Sequence, residues 1–211
     1  SEDYSFGVDI EFPLPTPYST TTPTLFLNPK PTLEPIPEPT PEEDDSVVWE
    51  TQIKEFLYGM TLEEKVARLF VITPEALTSD GQATTANSAT QTAINNRPVG
   101  GLIYMAGNLT SREQCRTMLA NTQTYSLERI CLPMFLTVDE EGGTVTRISG
   151  TGKFDVPYIG NMKDLGETEN LDATYSTGWT IGNYLADLGF NVDFAPVADV
   201  LSNSANTVGR F

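Results

Sequence analysis

The chain has 211 residues with 29 acidic and 12 basic side chains, a net charge of −17, and no histidine. That balance argues against nucleic acid or anionic lipid as partners, since both need clustered Lys and Arg. The missing histidine removes Ser-His and Cys-His nucleophile pairs, and two cysteines alone cannot close a zinc tetrahedron, so no metal or cofactor is expected.

Residues 1–45 differ in character from the rest. They hold ten of the fifteen prolines, many threonines, and ten acids against the single base Lys30. This is the composition of a disordered, extended, self-repelling linker. Such spacers stand a domain off a cell surface, so an extracellular or cell-surface-anchored protein is expected. Recognition of the prolines by a proline-reading domain is the alternative. The second region, 46–211, is punctuated like a folded domain.

It opens with VVWETQIKEFLYGM, which sets Val48, Trp49, Ile53, Phe56 and Leu57 near one helical face. Thr61–Glu64 (TLEE) is a capping box starting a second helix, which runs into LFVI, an apolar run suited to a buried strand. A polar stretch with a helix around Ala89–Asn95 follows, then a second strand, VGGLIYM. TSREQCRTMLANTQTY reads as a helix with Thr110 at its N-cap and Glu113 completing a box. LPMFLTV is the third strand. Leu171–Leu188 forms a long helix with Trp179, Leu185 and Leu188 as core candidates and Gly189 as C-cap. VDFAPVADV is the fourth strand. Cys115 falls early in the helix before the third strand and Cys131 just ahead of that strand, at opposite ends of a βαβ layer roughly 20 Å apart at about 1.5 Å per helical residue, so they are read as two free buried thiols. No apolar run approaches the ~18 residues of a membrane span.

The order β-α-β-α-β-α-β, with near-continuous apolar strands, predicts an α/β fold with a helix-covered parallel sheet. Such sheets carry their chemistry at the carboxyl ends of the strands. Asp139 stands at one such end and Asp199 at the next. Gly142 and Gly143 would allow close backbone approach or a positive φ. Two other readings stay open: a hairpin, because TVTRI alternates, and for Asp199 a simple helix cap.

PVGGLIYMAGN, LPMFLTVDEEGGTVTRI and LGFNVDFAPVADV, with MTLEEKVARLFVI before them, together resemble the N-terminal catalytic domain of family 3 glycoside hydrolases, in its β-N-acetylhexosaminidase branch. The resemblance runs from about Trp49 to Phe211. It implies a TIM (β/α)8 barrel, of which the chain holds the first half, and a glycan partner with a terminal N-acetylhexosamine. It further implies that Asp139 and Arg147 bind the sugar's hydroxyls and that Arg210, near the end of NTVGRF, is the candidate for a second sugar-binding arginine. The alternative for Arg147 is a surface salt bridge with Glu140 or Glu141, and those two glutamates are expected to hold loop amides or an arginine rather than sugar. The resemblance implies a retaining mechanism whose nucleophile and acid/base lie beyond Phe211, so no catalytic residue is expected in this chain, which should be inactive alone. Four strands cannot close a barrel, and an exposed apolar face and strand edges are expected. A non-catalytic carbohydrate-binding or surface protein built on the same barrel is the competing reading. An unrelated α/β domain, whose acidic turn holds a cation, is the third.

Overall fold

The computed structural model describes residues 45–79 and 81–198. The 1–45 linker assignment, Asp199 and Arg210 lie outside the described residues, apart from Asp45, which begins the first helix.

Among the described residues, four short strands form one parallel sheet in sequential order: β1 (Val71–Ile72), β2 (Gly101–Ile103), β3 (Phe135–Val138) and β4 (Val192–Asp193). Each neighbouring pair is parallel, so every connection crosses over through helices. The helices are α1 (Asp45–Gly59), α2 (Leu62–Ala67), α3 (Pro74–Thr78), α4 (Ser88–Asn96), α5 (Arg112–Ile130), α6 (Met162–Glu167) and α7 (Leu171–Leu188). The result is a partial, barrel-like α/β arrangement, as the strand order and composition predict.

Register fixes which side chains share a face. Leu102 pairs with Leu136, and Ile103 pairs with Thr137, which in turn pairs with Val192. Side chains alternate along a strand, so Leu102, Leu136 and Val138 lie on one face. That face is packed under α5 and α7, in a core that includes Cys115, Met118, Leu119, Leu185 and Leu188. The opposite face carries Phe135, 55% exposed, and its register partner Gly101. A Cβ at Gly101 would lie 2.6 Å from the Phe135 carbonyl oxygen, so this close strand approach admits only glycine.

Several local features match the sequence. Thr61 accepts from Glu64 N–H and the Glu64 carboxylate accepts from Thr61 N–H, a complete capping box. Gly189 ends α7 at φ +103, as expected of a left-handed C-cap. Others differ. The cap of α5 is Ser111, whose hydroxyl accepts from Gln114 N–H, and it is Gln114, not Glu113, whose side chain reaches back, accepting from Thr110 N–H. Thr110 and Ser111 both have capping chemistry, and Gln114 favours the later one because its amide also donates to the Thr84 and Asn108 carbonyls, tying the helix to the segment before α4 and to the loop after β2.

Trp179 is 62% exposed rather than in the core, because the buried face of α7 is centred on Tyr184, Leu185 and Leu188 near its C-terminal end. Cys131 is free, but exposed rather than buried: it takes the left-handed C-cap of α5 at φ 55, outside the packed face. The LFVI run does not form a buried strand: only Val71 and Ile72 are in β1, an edge of the sheet, and Leu69, Phe70 and Val71 are exposed. Nor does TVTRI form a hairpin strand, for only a single Gly142–Val145 bridge is made there. Short helices α3 and α6 were not foreseen, at five and six residues being too short to show a period. Among the described residues no helix is long and apolar enough to cross a membrane.

The cap assignment is directly testable. Ser111→Ala should lower stability by about 1 kcal/mol in urea unfolding, the usual worth of an N-cap hydroxyl. Thr110→Ala should cost less than half of that. Equal losses would return the cap to Thr110.

Candidate functional site at the strand ends

The segment following β3 is built around a buried carboxylate. Glu140 is 0% exposed, yet both its carboxylate oxygens are hydrogen-bonded. Its Oε2 accepts from Arg147 N–H at 2.6 Å and Ile148 N–H at 2.9 Å, and its Oε1 accepts from Ser149 N–H at 2.9 Å and the Tyr184 hydroxyl at 2.8 Å. A buried carboxylate is tolerable only when its acceptor sites are filled, and four donors fill this one. The expectation that Glu140 holds loop amides is met.

The chain returns to Glu140 by a tight turn. Glu141 N–H donates to Val145 O, Val145 N–H to Gly142 O, and Gly143 N–H to Ile159 O. Gly142 sits at φ +91, and a Cβ there would lie 2.7 Å from the Gly160 carbonyl oxygen, so the turn needs glycine for both conformation and space.

This turn sets Arg147 beside Asp139. The Arg147 guanidinium meets Asp139 Oδ2 through Nη2 at 3.3 Å, with both side chains about a quarter exposed. The structure thus brings together two of the three sugar-binding candidates: the Arg147 guanidinium pairs with Asp139, while Glu140 accepts from the Arg147 backbone N–H. Arg147 Nε is buried with no hydrogen-bond partner among the described residues. The part of this guanidinium that stays exposed, next to a partly exposed carboxylate, offers charged donors and acceptors to a neutral, hydroxyl-rich ligand. Among the described residues, no group of three or more His, Cys, Asp or Glu side chains is arranged to hold a metal.

Two residues of this site were missed in the sequence. Asp193, the last residue of β4, accepts from Glu140 N–H at 2.9 Å. Reading β4 out to Asp199 hid it inside the strand. Burial pushes its carboxyl up to about 6; the Glu140 N–H counters this, and the charges of Glu140, Asp139 and Glu141 add to it. Tyr184 is the other. Burial, with the charge of Glu140, holds its phenol well above the usual range, so it stays a donor. Its place on the buried face of α7 could have flagged it, but the partner lies 44 residues away in sequence.

The second loop, after β2, is fastened to this one. Lys153 Nζ donates to the Ala106 and Leu109 carbonyls, and Asn108 Nδ2 donates to Glu75 Oε1 at 2.5 Å. The three strand-end segments are therefore one hydrogen-bonded unit.

Comparison with known proteins bears on this geometry. The model of the glycosyl hydrolase family 3 N-terminal domain matches residues 61–210. A β-hexosaminidase A of Pseudoalteromonas piscicida is 33% identical over 118 residues, 54% of this chain and 19% of that protein. A β-hexosaminidase of Haemophilus influenzae (strain ATCC 51907 / DSM 11121 / KW20 / Rd) is 30% identical over 53% of this chain and 30% of its own length. The match therefore spans less than a third of either relative. Among solved structures, a family 3 β-N-acetylglucosaminidase from Paenibacillus sp. str. FPU-7 superposes with a TM-score of 0.56 at 30% identity, over 65% of this chain and 24% of that one. A family 3 glycosyl hydrolase from Mycobacterium smegmatis gives 0.54 at 26% identity, over 72% and 41%.

The raised Asp193 carboxyl predicts a pH dependence. The folded state keeps a proton that the unfolded chain gives up near pH 4, so stability falls as pH rises from about 4 to about 6, and the loss is complete above that. Asp193→Asn keeps an oxygen for Glu140 N–H and removes the charge. Discounted for partial exposure, it should stabilise the chain by about 1 kcal/mol at pH 7.5. Urea unfolding at pH 7.5 and pH 4 checks this: the gain should vanish at the lower pH, and a gain equal at both would refute the assignment.

Proposed function

This chain belongs to glycosyl hydrolase family 3 through its N-terminal domain, and we propose that it grips the terminal β-linked N-acetylhexosamine of a glycan for an enzyme of the β-N-acetylhexosaminidase kind. The observation that carries this reading is the Asp139–Arg147 pair, held at the carboxyl end of a parallel strand with both side chains partly exposed. The names of the matched relatives support the sugar class.

The division of labour follows from the chemistry present. Asp139 accepts from sugar hydroxyls, and Arg147 both orients Asp139 and donates to sugar oxygens. A charged group bonded to a neutral hydroxyl is worth about 1.5–3 kcal/mol, enough to orient a sugar ring when two groups act together. Hydrolysis with retention would proceed through a covalent glycosyl-enzyme, which needs a nucleophile and an acid/base about 5 Å apart. We assign neither role to this chain. Arg210 belongs to the proposal as a second sugar-binding arginine. So does the division into a linker over 1–45 and a barrel portion over 46–211. The Pro- and Thr-rich, acidic composition of 1–45 supports an extracellular or surface-anchored location.

A second reading is carbohydrate binding without turnover, built on the same Asp139–Arg147 pair. Both readings share the Asp139–Arg147 grip and differ only in whether bond cleavage follows.

Calorimetric titration of the purified chain with N-acetyl-D-glucosamine tests the grip. Asp139→Ala and Arg147→Ala should each weaken binding about 10–100-fold, with the far-UV circular dichroism unchanged. The 211-residue chain should release no aryl leaving group from an aryl N-acetyl-β-glucosaminide. Binding that survives both substitutions would move the sugar site elsewhere, and turnover would require a nucleophile in this chain.

A further inference from the structure

We propose that Tyr184 on α7 is a positioning residue for Arg147, acting through the buried carboxylate of Glu140. The inference rests on the reading of Asp139 and Arg147 as the sugar-gripping pair and deepens it.

The connection is continuous and short. The Tyr184 hydroxyl donates to Glu140 Oε1 at 2.8 Å, the same oxygen that accepts from Ser149 N–H. The other oxygen accepts from Arg147 N–H and Ile148 N–H. One carboxylate thus fixes the backbone of three consecutive residues, the first of which bears the guanidinium that meets Asp139. Turning the carboxylate plane would lengthen all three amide bonds together. All three amides belong to the loop that the carboxylate itself holds, so they cannot by themselves set the orientation of that plane in the fold. An anchor outside the loop is required.

The structure supplies two such anchors. Asp193 holds the Glu140 backbone N–H from β4, which fixes where the side chain starts. Tyr184 holds the far end. Its own helix is secured by Leu185 and Leu188 in the core and by Asp187, which pairs with Arg112 and Arg116 of α5. The tyrosine ring is buried, so its hydroxyl has no water to turn to if the carboxylate moves away. The position of α7 is therefore relayed to the arginine across two hydrogen bonds.

Tyr184→Phe removes only the hydroxyl and keeps the ring in the core. Two measurements on the 211-residue chain decide the matter: amide hydrogen exchange, and the affinity for N-acetyl-D-glucosamine. Exchange at Arg147, Ile148 and Ser149 should quicken about tenfold while the central amides of α5 keep their protection. Affinity should fall about three- to tenfold. Leu188→Ala serves as the control for a merely structural role, since it should speed exchange in α5 and the loop alike. If Tyr184→Phe leaves the three loop amides unchanged, or behaves as Leu188→Ala does, the proposal is overturned. If the unaltered chain binds no sugar, the sugar-gripping reading fails, and the exchange at the three amides still decides whether Tyr184 positions Arg147.

Discussion

Everything at the strand ends depends on satisfying one buried charge-bearing group. An unpaired carboxylate at the position of Glu140 would cost several kcal/mol. The chain meets that demand with donors drawn from different parts of the fold: three consecutive loop amides and a helix tyrosine on the carboxylate. Because the amides come from 147–149, the loop must turn back over the end of β3, and the glycines at 142 and 143 exist where that return is tightest. The demand of Glu140 thus dictates the shape of the loop, and the shape of the loop dictates where Arg147 projects.

The neighbouring carboxylate has the opposite circumstances. Asp139 is partly exposed and shares its charge with a guanidinium that is itself partly exposed. Two adjacent acids in sequence therefore do different work: one is held down by donors of the protein, the other is left open to donors from outside. Asp193 connects them from the next strand. Its carboxyl sits near Glu140, Asp139 and Glu141, and this crowding of acids, together with burial, resists its ionisation. Concentrating negative charge there is tolerable only because backbone N–H groups and Arg147 are aimed into the same small region.

Much of this could be read from the sequence, and the failures have physical causes. The parallel order of the strands was legible because near-continuous apolar runs alternate with helical spacing, and the TLEE box and Gly189 announced their helix ends. Asp139 and Arg147 were legible as a pair through resemblance; their contact over eight residues is made by a turn that spacing alone left open. Asp193 and Tyr184 were not legible. Asp193 looked like an interior residue of a longer fourth strand, whereas the strand stops there, followed by the cis Ala195–Pro196 bond. Tyr184 was not singled out at all, because nothing local reveals a hydrogen bond to a residue 44 positions away. Trp179 misled in the other direction, because a large apolar side chain on a helix is taken for core whichever way the helix turns.

The exposed apolar groups fit a consistent geometry. Phe135 lies on the sheet face that α5 and α7 do not cover, and Phe70 and Val71 lie at the β1 edge. In a closed (β/α)8 barrel the inward side chains of the strands fill layers with one another, and edge strands find neighbours. An open arc of four strands buries Leu102, Leu136 and Val138 on the helix-facing side, with Ile72 partly covered, and leaves the other side more exposed at Phe135. The polar unit at the strand ends does not share that deficit. Glu140, Tyr184, Asp193 and the 147–149 amides are partnered within the helix-backed side of the arc, so the geometry of the Asp139–Arg147 pair is set by contacts that do not require closure of the barrel.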